Sequence, residues 1–193
     1  MLFRSVSGDA DNTIDALDKV VGSAKRFQEK YGACASANER ADWLAPKVPV
    51  WEKRVIDTRK RKTLFARFDN SVKAKNWDET YASGKEILAA YPDIRDVELV
   101  LGSIGYDESI KKNYKYNDDT LKFAKQSIAD LEANKSFANY GAFDFSYKNK
   151  DNALGWMNLT IGYIMQIAQN NKAGAAPYLY QATQLNSDTK TNP

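Results

Sequence analysis

The chain has no histidine and a single cysteine, Cys34, among its 193 residues. These absences exclude an intrachain disulfide and any zinc site built from cysteine and histidine. They also remove histidine-dependent triads and cysteine–histidine dyads, because the general base is missing. Cys34, in Gly32-Ala33-Cys34-Ala35-Ser36, therefore reads as an inert thiol. Long apolar runs are absent too. The densest, residues 156–168, is broken by Asn158, Thr160 and Gln166 and falls short of the roughly 20 residues a spanning helix needs. Charge of one sign is scarce: 28 basic against 25 acidic residues leave a net +3, too little to imply a nucleic-acid partner. No Gly/Ser-rich linker interrupts the chain, which reads as one continuous array.

What is present is a composition suited to a packed core, 43% hydrophobic and 27% charged. The first residues lack the basic region, apolar stretch and cleavage site of a signal peptide. Met1-Leu2-Phe3-Arg4-Ser5 reads as a non-native remnant, like a translated sequencing adapter, and Thr191-Asn192-Pro193 as a truncated end.

The most informative pattern is a phrase that recurs forty residues on. Asp78-Glu79-Thr80 through Leu88 is echoed by Asp118-Asp119-Thr120 through Ile128, each copy carrying acids and a threonine at a helix start and a small residue and lysine after it. A recurring helical unit that cannot bury its apolar face alone stacks on its neighbours. Helical spacing of apolar residues predicts helices over 9–31 (capped by Asp11 or Asn12, stopped at Gly32), 36–45, from 50 to about 76, 77–91, 93–109, 117–134, 151–169 and 173–186. Pro46 and Pro49 predict a break. Residues 137–147, with five aromatics, read as an ordered insert strapped over the outer, convex face of the helices.

Several of these helices resemble tetratricopeptide repeats, whose first helix carries Trp-x2-Leu-Gly-x2-Tyr. Trp156, Leu159 and Tyr163 stand at that spacing, with Ala175 and Ala182 in the following helix. Leu101-Gly102 are adjacent as in the family, Pro92 ends the preceding unit, and Phe68 precedes Gly102 by 34 residues, the family period. Thr80 and Thr120 depart from it, standing where alanine is usual. The resemblance implies an all-α solenoid, a right-handed superhelix of antiparallel helix pairs. Residues 1–5 would then be the remnant, 6–49 divergent N-terminal helices, and 50–193 the array, with the insert near 135–150. More loosely, the chain resembles exported or envelope-linked bacterial repeat proteins.

The resemblance further implies a non-catalytic adaptor that holds a protein or peptide in a concave groove and needs no cofactor or metal. The groove positions would be Phe65, Asp69 and Val72, then Leu99, Ser103 and Tyr106, then Met157, Ile161 and Ile164. Their apolar character suits an amphipathic or extended peptide. Two readings stay open: these side chains line an open groove, or they pack against the chain's own segments in a larger structural protein. The basic run Arg59-Lys60-Arg61-Lys62 offers a third, contact with phosphate, although a solvated helix face needs no partner. Asp118-Asp119 reads as helix capping and dipole compensation, and Asp107-Glu108 lacks a partner base.

Overall fold

The helix signals become helices in the computed structural model, which describes residues 8–185 and is all-α over that span. The expected remnant, Met1–Ser5, and the expected truncated end, Thr191–Pro193, lie outside the described residues. The chain divides into two compact units, residues up to 66 and residues from 67 on.

The first unit contains α1 (Gly8–Tyr31), a 3-10 turn (Ala35–Ala37), α2 (Asn38–Leu44) and the opening turns of α3 (Lys47–Lys73). Its core is small: Val21 and Ala24 of α1 meet Val48 of α3, with Leu44 and Trp51 packed alongside. Asp11 and Asn12 fall inside α1 rather than at its cap. Gly32 stops that helix as expected, its N–H returning to the Gln28 carbonyl. Pro46 precedes α3, but Pro49 does not break it. It occupies the first turn, where a missing N–H has no intrahelical partner to lose.

The second unit contains α4 (Trp77–Ala90), α5 (Asp96–Leu101), α6 (Ile104–Ile110), α7 (Asn117–Glu132), a 3-10 turn (Phe143–Phe145), α8 (Lys150–Tyr163) and α9 (Lys172–Leu185). A π-helical turn, Ile164–Ala168, extends α8. Packing follows chain order: α4 on α5, α5 and α6 on α7, α7 on α8, and α8 on α9. Asn76 caps α4 by accepting the Glu79 N–H instead of ending α3.

One expected helix, 93–109, is in fact two. It breaks at Gly102-Ser103, where the Ser103 hydroxyl donates to the Leu99 carbonyl. The break lets two glycines press on α7. A Cβ on Gly102 would stand 2.9 Å from the Ala124 backbone nitrogen, and one on Gly105 would stand 2.8 Å from Thr120 Cβ. Thr120 explains its own departure from alanine here. Gly105 N–H donates to its Oγ1, while the Tyr81 hydroxyl lies 2.7 Å from it and 2.8 Å from the Leu101 carbonyl. With Tyr81's proton given to the carbonyl, Thr120 donates to Tyr81 and accepts from Gly105, so all of these buried groups are satisfied. Thr80, forty residues earlier, lies 2.9 Å from the Asn76 carbonyl and 3.0 Å from Ser71 Oγ.

The sequence echo has a structural counterpart. Every position from 77 to 89 falls in the same burial class as the position forty residues later, 117 to 129. For the preceding helices the matching offset is thirty-seven: 68 to 75 repeats as 105 to 112. Both of those helices end alike. Lys75 (φ 54°) and Lys112 (φ 62°) take left-handed conformations, and the next N–H returns to the carbonyl five residues back, Asn76 to Ser71 and Asn113 to Glu108.

Candidate functional site

The expected groove residues are mostly interior. Leu99, Met157, Ile161 and Ile164 are fully buried in one cluster with Leu121, Ala124 and Leu131. Ser103 is buried beneath Tyr147, whose hydroxyl lies within hydrogen-bonding distance of its Oγ. Tyr106 is half-buried and packs edge-on to Trp156 (6.0 Å) and tilted against Tyr163 (5.0 Å). Asp69 is half-buried with one carboxylate oxygen lacking a hydrogen-bond partner, and Phe65 is buried beneath the Arg61 guanidinium. Of the nine, Val72 lines an open cavity. Packing against the chain's own segments therefore describes most of these positions, because apolar side chains on facing helices bury each other before any partner arrives.

The insert, residues 137–147, supplies part of that cover. Its entry is pinned by Asp96 at the start of α5, a buried carboxylate that accepts the backbone N–H groups of Ala138 (2.7 Å), Asn139 (2.9 Å) and Gly141 (2.9 Å). Gly141 is required there: φ is +110°, and a side chain would run into the Phe145 carbonyl. Phe137 joins the buried cluster, and Tyr147 reaches Ser103 at the other end. Burial pushes the Tyr147 hydroxyl well above the usual phenol range, against the Ser103 hydrogen bond. The insert thus straps over Ser103, one of the expected groove positions.

Where the strap passes α3 and α4 a cleft of about 230 Å³ remains. The left-handed turn at Lys75 and the Asn76 cap send Trp77 inward to its floor, beside Val72 and Phe145. The Trp77 and Phe145 rings meet edge-on at 6.0 Å. Trp77 Nε1–H donates to Glu108 Oε1 (3.0 Å), so the indole's polar edge is satisfied and its faces stay apolar. Glu108 also accepts from Lys111 Nζ (2.9 Å) and Asn113 Nδ2 (2.7 Å). Burial pushes its carboxyl up, but these three donors outweigh that and hold it below its ordinary value.

The rim carries both signs. Lys73, whose Nζ lies 5.1 Å from the Phe143 ring centroid, stands with Lys75 and Lys111 against Asp107 and Asp144. No sequence motif announced this cleft, since its walls come from three separated stretches. Among the described residues no group of three or more His, Cys, Asp or Glu side chains is placed to hold a metal ion.

Arg59 of the basic run is paired with Asp15 (3.1 Å) and Asp18 (2.9 Å) of α1. Asp118 and Asp119 lie in the first turn of α7, where their charge suits the helix dipole, although neither caps it. Asp119 instead meets Lys85, the echo helix's lysine, at 2.8 Å. The chain matches no protein-family model, no curated protein and no solved structure.

Proposed function

We propose that the chain is a non-catalytic binding scaffold of tetratricopeptide-like helix pairs, with its own strap seated on the groove side and the remaining cleft open to a protein or peptide. The observation that carries this is the cleft itself: an apolar floor of Val72, Trp77 and Phe145 under a rim of mixed charge. Its volume is below the ~300 Å³ usual for small-molecule sites, which suits one anchoring side chain of a peptide better than a whole metabolite. The mixed rim offers carboxylates to peptide N–H groups and ammonium groups to carbonyls, whereas a polyanion would meet Asp107 and Asp144 as repulsion. The helix-pair reading draws its support from the recurring burial pattern, the shared left-handed turns, and packing between helices that lie close in the chain.

Selection from a random displayed-peptide library on the immobilised protein tests this, with Lys75→Glu and Asp144→Lys as surface variants. Selected peptides that lose affinity on either variant support the cleft. Peptides indifferent to both place binding elsewhere. A selection that never rises above background leaves the chain as a structural segment whose groove is filled by its own strap, the reading that the Tyr147–Ser103 contact favours.

A further inference from the structure

Three buried carboxyls, Asp96, Glu98 and Asp130, belong to the α5–α7 packing beside the strap's entry. Two are fully partnered. Asp96 accepts three backbone N–H groups of the strap. Asp130 accepts from Arg95 Nε (3.0 Å), Lys135 Nζ (2.8 Å) and Gln126 Nε2 (2.9 Å). Glu98 is only 8% exposed, and its Oε2 has no hydrogen-bond partner. A buried carboxylate oxygen without a donor makes the charged form less favourable and favours the protonated one.

The charged groups that act on Glu98 are Asp130 from α7, Arg95 beside the start of α5, and Lys135 in the segment that leads into the strap. Both cations are already committed to Asp130. Lys135 stands two residues before Phe137, where the strap begins, and Arg95 adjoins Asp96, which holds the strap's backbone.

We propose that Glu98 is a proton-operated latch for the strap: protonated, it leaves Arg95 and Lys135 to Asp130, and ionised, it draws on those same cations and frees the strap's entry. Burial first, then the charge of Asp130, pushes the Glu98 carboxyl up to about 7, against Arg95 and Lys135. With the entry released and Glu98 hydrated, its carboxyl returns toward the ordinary 4.5, so the fastened state binds the extra proton. Fastening is therefore fully present below that value, weakens as pH rises toward about 7, and is level above it. The latch operates whether or not the cleft holds a partner.

Amide hydrogen exchange at Ala138, Asn139 and Gly141 in the full chain, corrected for intrinsic rates, reads the latch directly. Between about pH 5.5 and 7.5 the wild-type protein should lose on the order of tenfold in protection at these amides. Glu98→Gln, which cannot ionise, should hold its protection constant. Equal pH profiles in the two proteins overturn the proposal. A carbon-13 titration of the Glu98 carboxyl in the wild-type chain is a second test that needs no variant: a midpoint near neutrality supports the latch, and one at the ordinary glutamate value overturns it.

Discussion

The two units bury their residues by different means. In the first, a few aliphatic side chains of α1, α2 and α3 meet, and large apolar groups such as Trp43 (57% exposed) and Val50 (64%) stay in water. Its polar links are surface ion pairs, Lys25–Glu52 and Arg59 with Asp15 and Asp18. In the second unit, helices approach closely enough that glycines and threonines set the distance. Among the described residues, every buried polar or charged side chain lies in this second unit, from Ser71 to Thr160. The contrast separates two kinds of specification. Amphipathic packing tolerates slack, whereas close packing with buried hydrogen bonds admits one arrangement, because each unsatisfied group left inside is costly.

The sharpest way to break the comparison is at Ile161, fully buried in the second unit's cluster. Ile161→Ala should lower unfolding stability by about 2–5 kcal/mol, read from urea denaturation, through lost burial and the cavity left behind. A loss under about 1 kcal/mol would mean that this core repacks as loosely as the first.

Two glycines then provide a matched pair. Gly105→Ala pushes a methyl into Thr120 and disturbs its hydrogen bond, so a loss of about 1–3 kcal/mol is expected. Gly22, inside α1, has nothing within 4 Å of a built Cβ. Gly22→Ala should instead stabilise by about 0.5–1 kcal/mol through helix propensity alone, visible as increased protection of α1 amides. Substitutions of the same sign at both glycines would erase the distinction between the units.

The smallest effect is expected at the Lys25–Glu52 pair, both partners being more than 40% exposed. Glu52→Ala should change stability by less than about 1 kcal/mol, and by less still in high salt. A larger, salt-insensitive loss would show that the first unit depends on this link more than on its apolar contacts.

Much of the helical layout was legible because it rests on local periodicity. Ile14, Val21 and Ala24 mark the buried face of α1, and the Asp78 and Asp118 phrases both open helices that share a burial pattern. Less legible was the break at Gly102-Ser103. The stretch from Val97 to Ile104 looks like continuous helix until α7 demands that Gly102 and Gly105 both face it. The left-handed turns at Lys75 and Lys112 were not legible either, since no glycine marks them. The groove positions read as mostly apolar, but whether such a surface is open or covered is not a property of the helix that carries it.

By itself the sequence determined that this chain is helical, that two of its helices are variants of one phrase, and that histidine chemistry and an intrachain disulfide are outside its reach. Those conclusions depend on composition and on spacings within a few turns, where side chains are placed by the helix alone. Tertiary structure decided what the surfaces became. Strap residues from 137 to 147 reach back to Asp96 and Ser103, and Trp77, Asp107 and Phe145 come together from stretches far apart in the chain. It also left Glu98 Oε2 buried without a partner while Asp130 took both cations. Contacts of this range depend on which helices pack and how closely, and local periodicity carries no record of that.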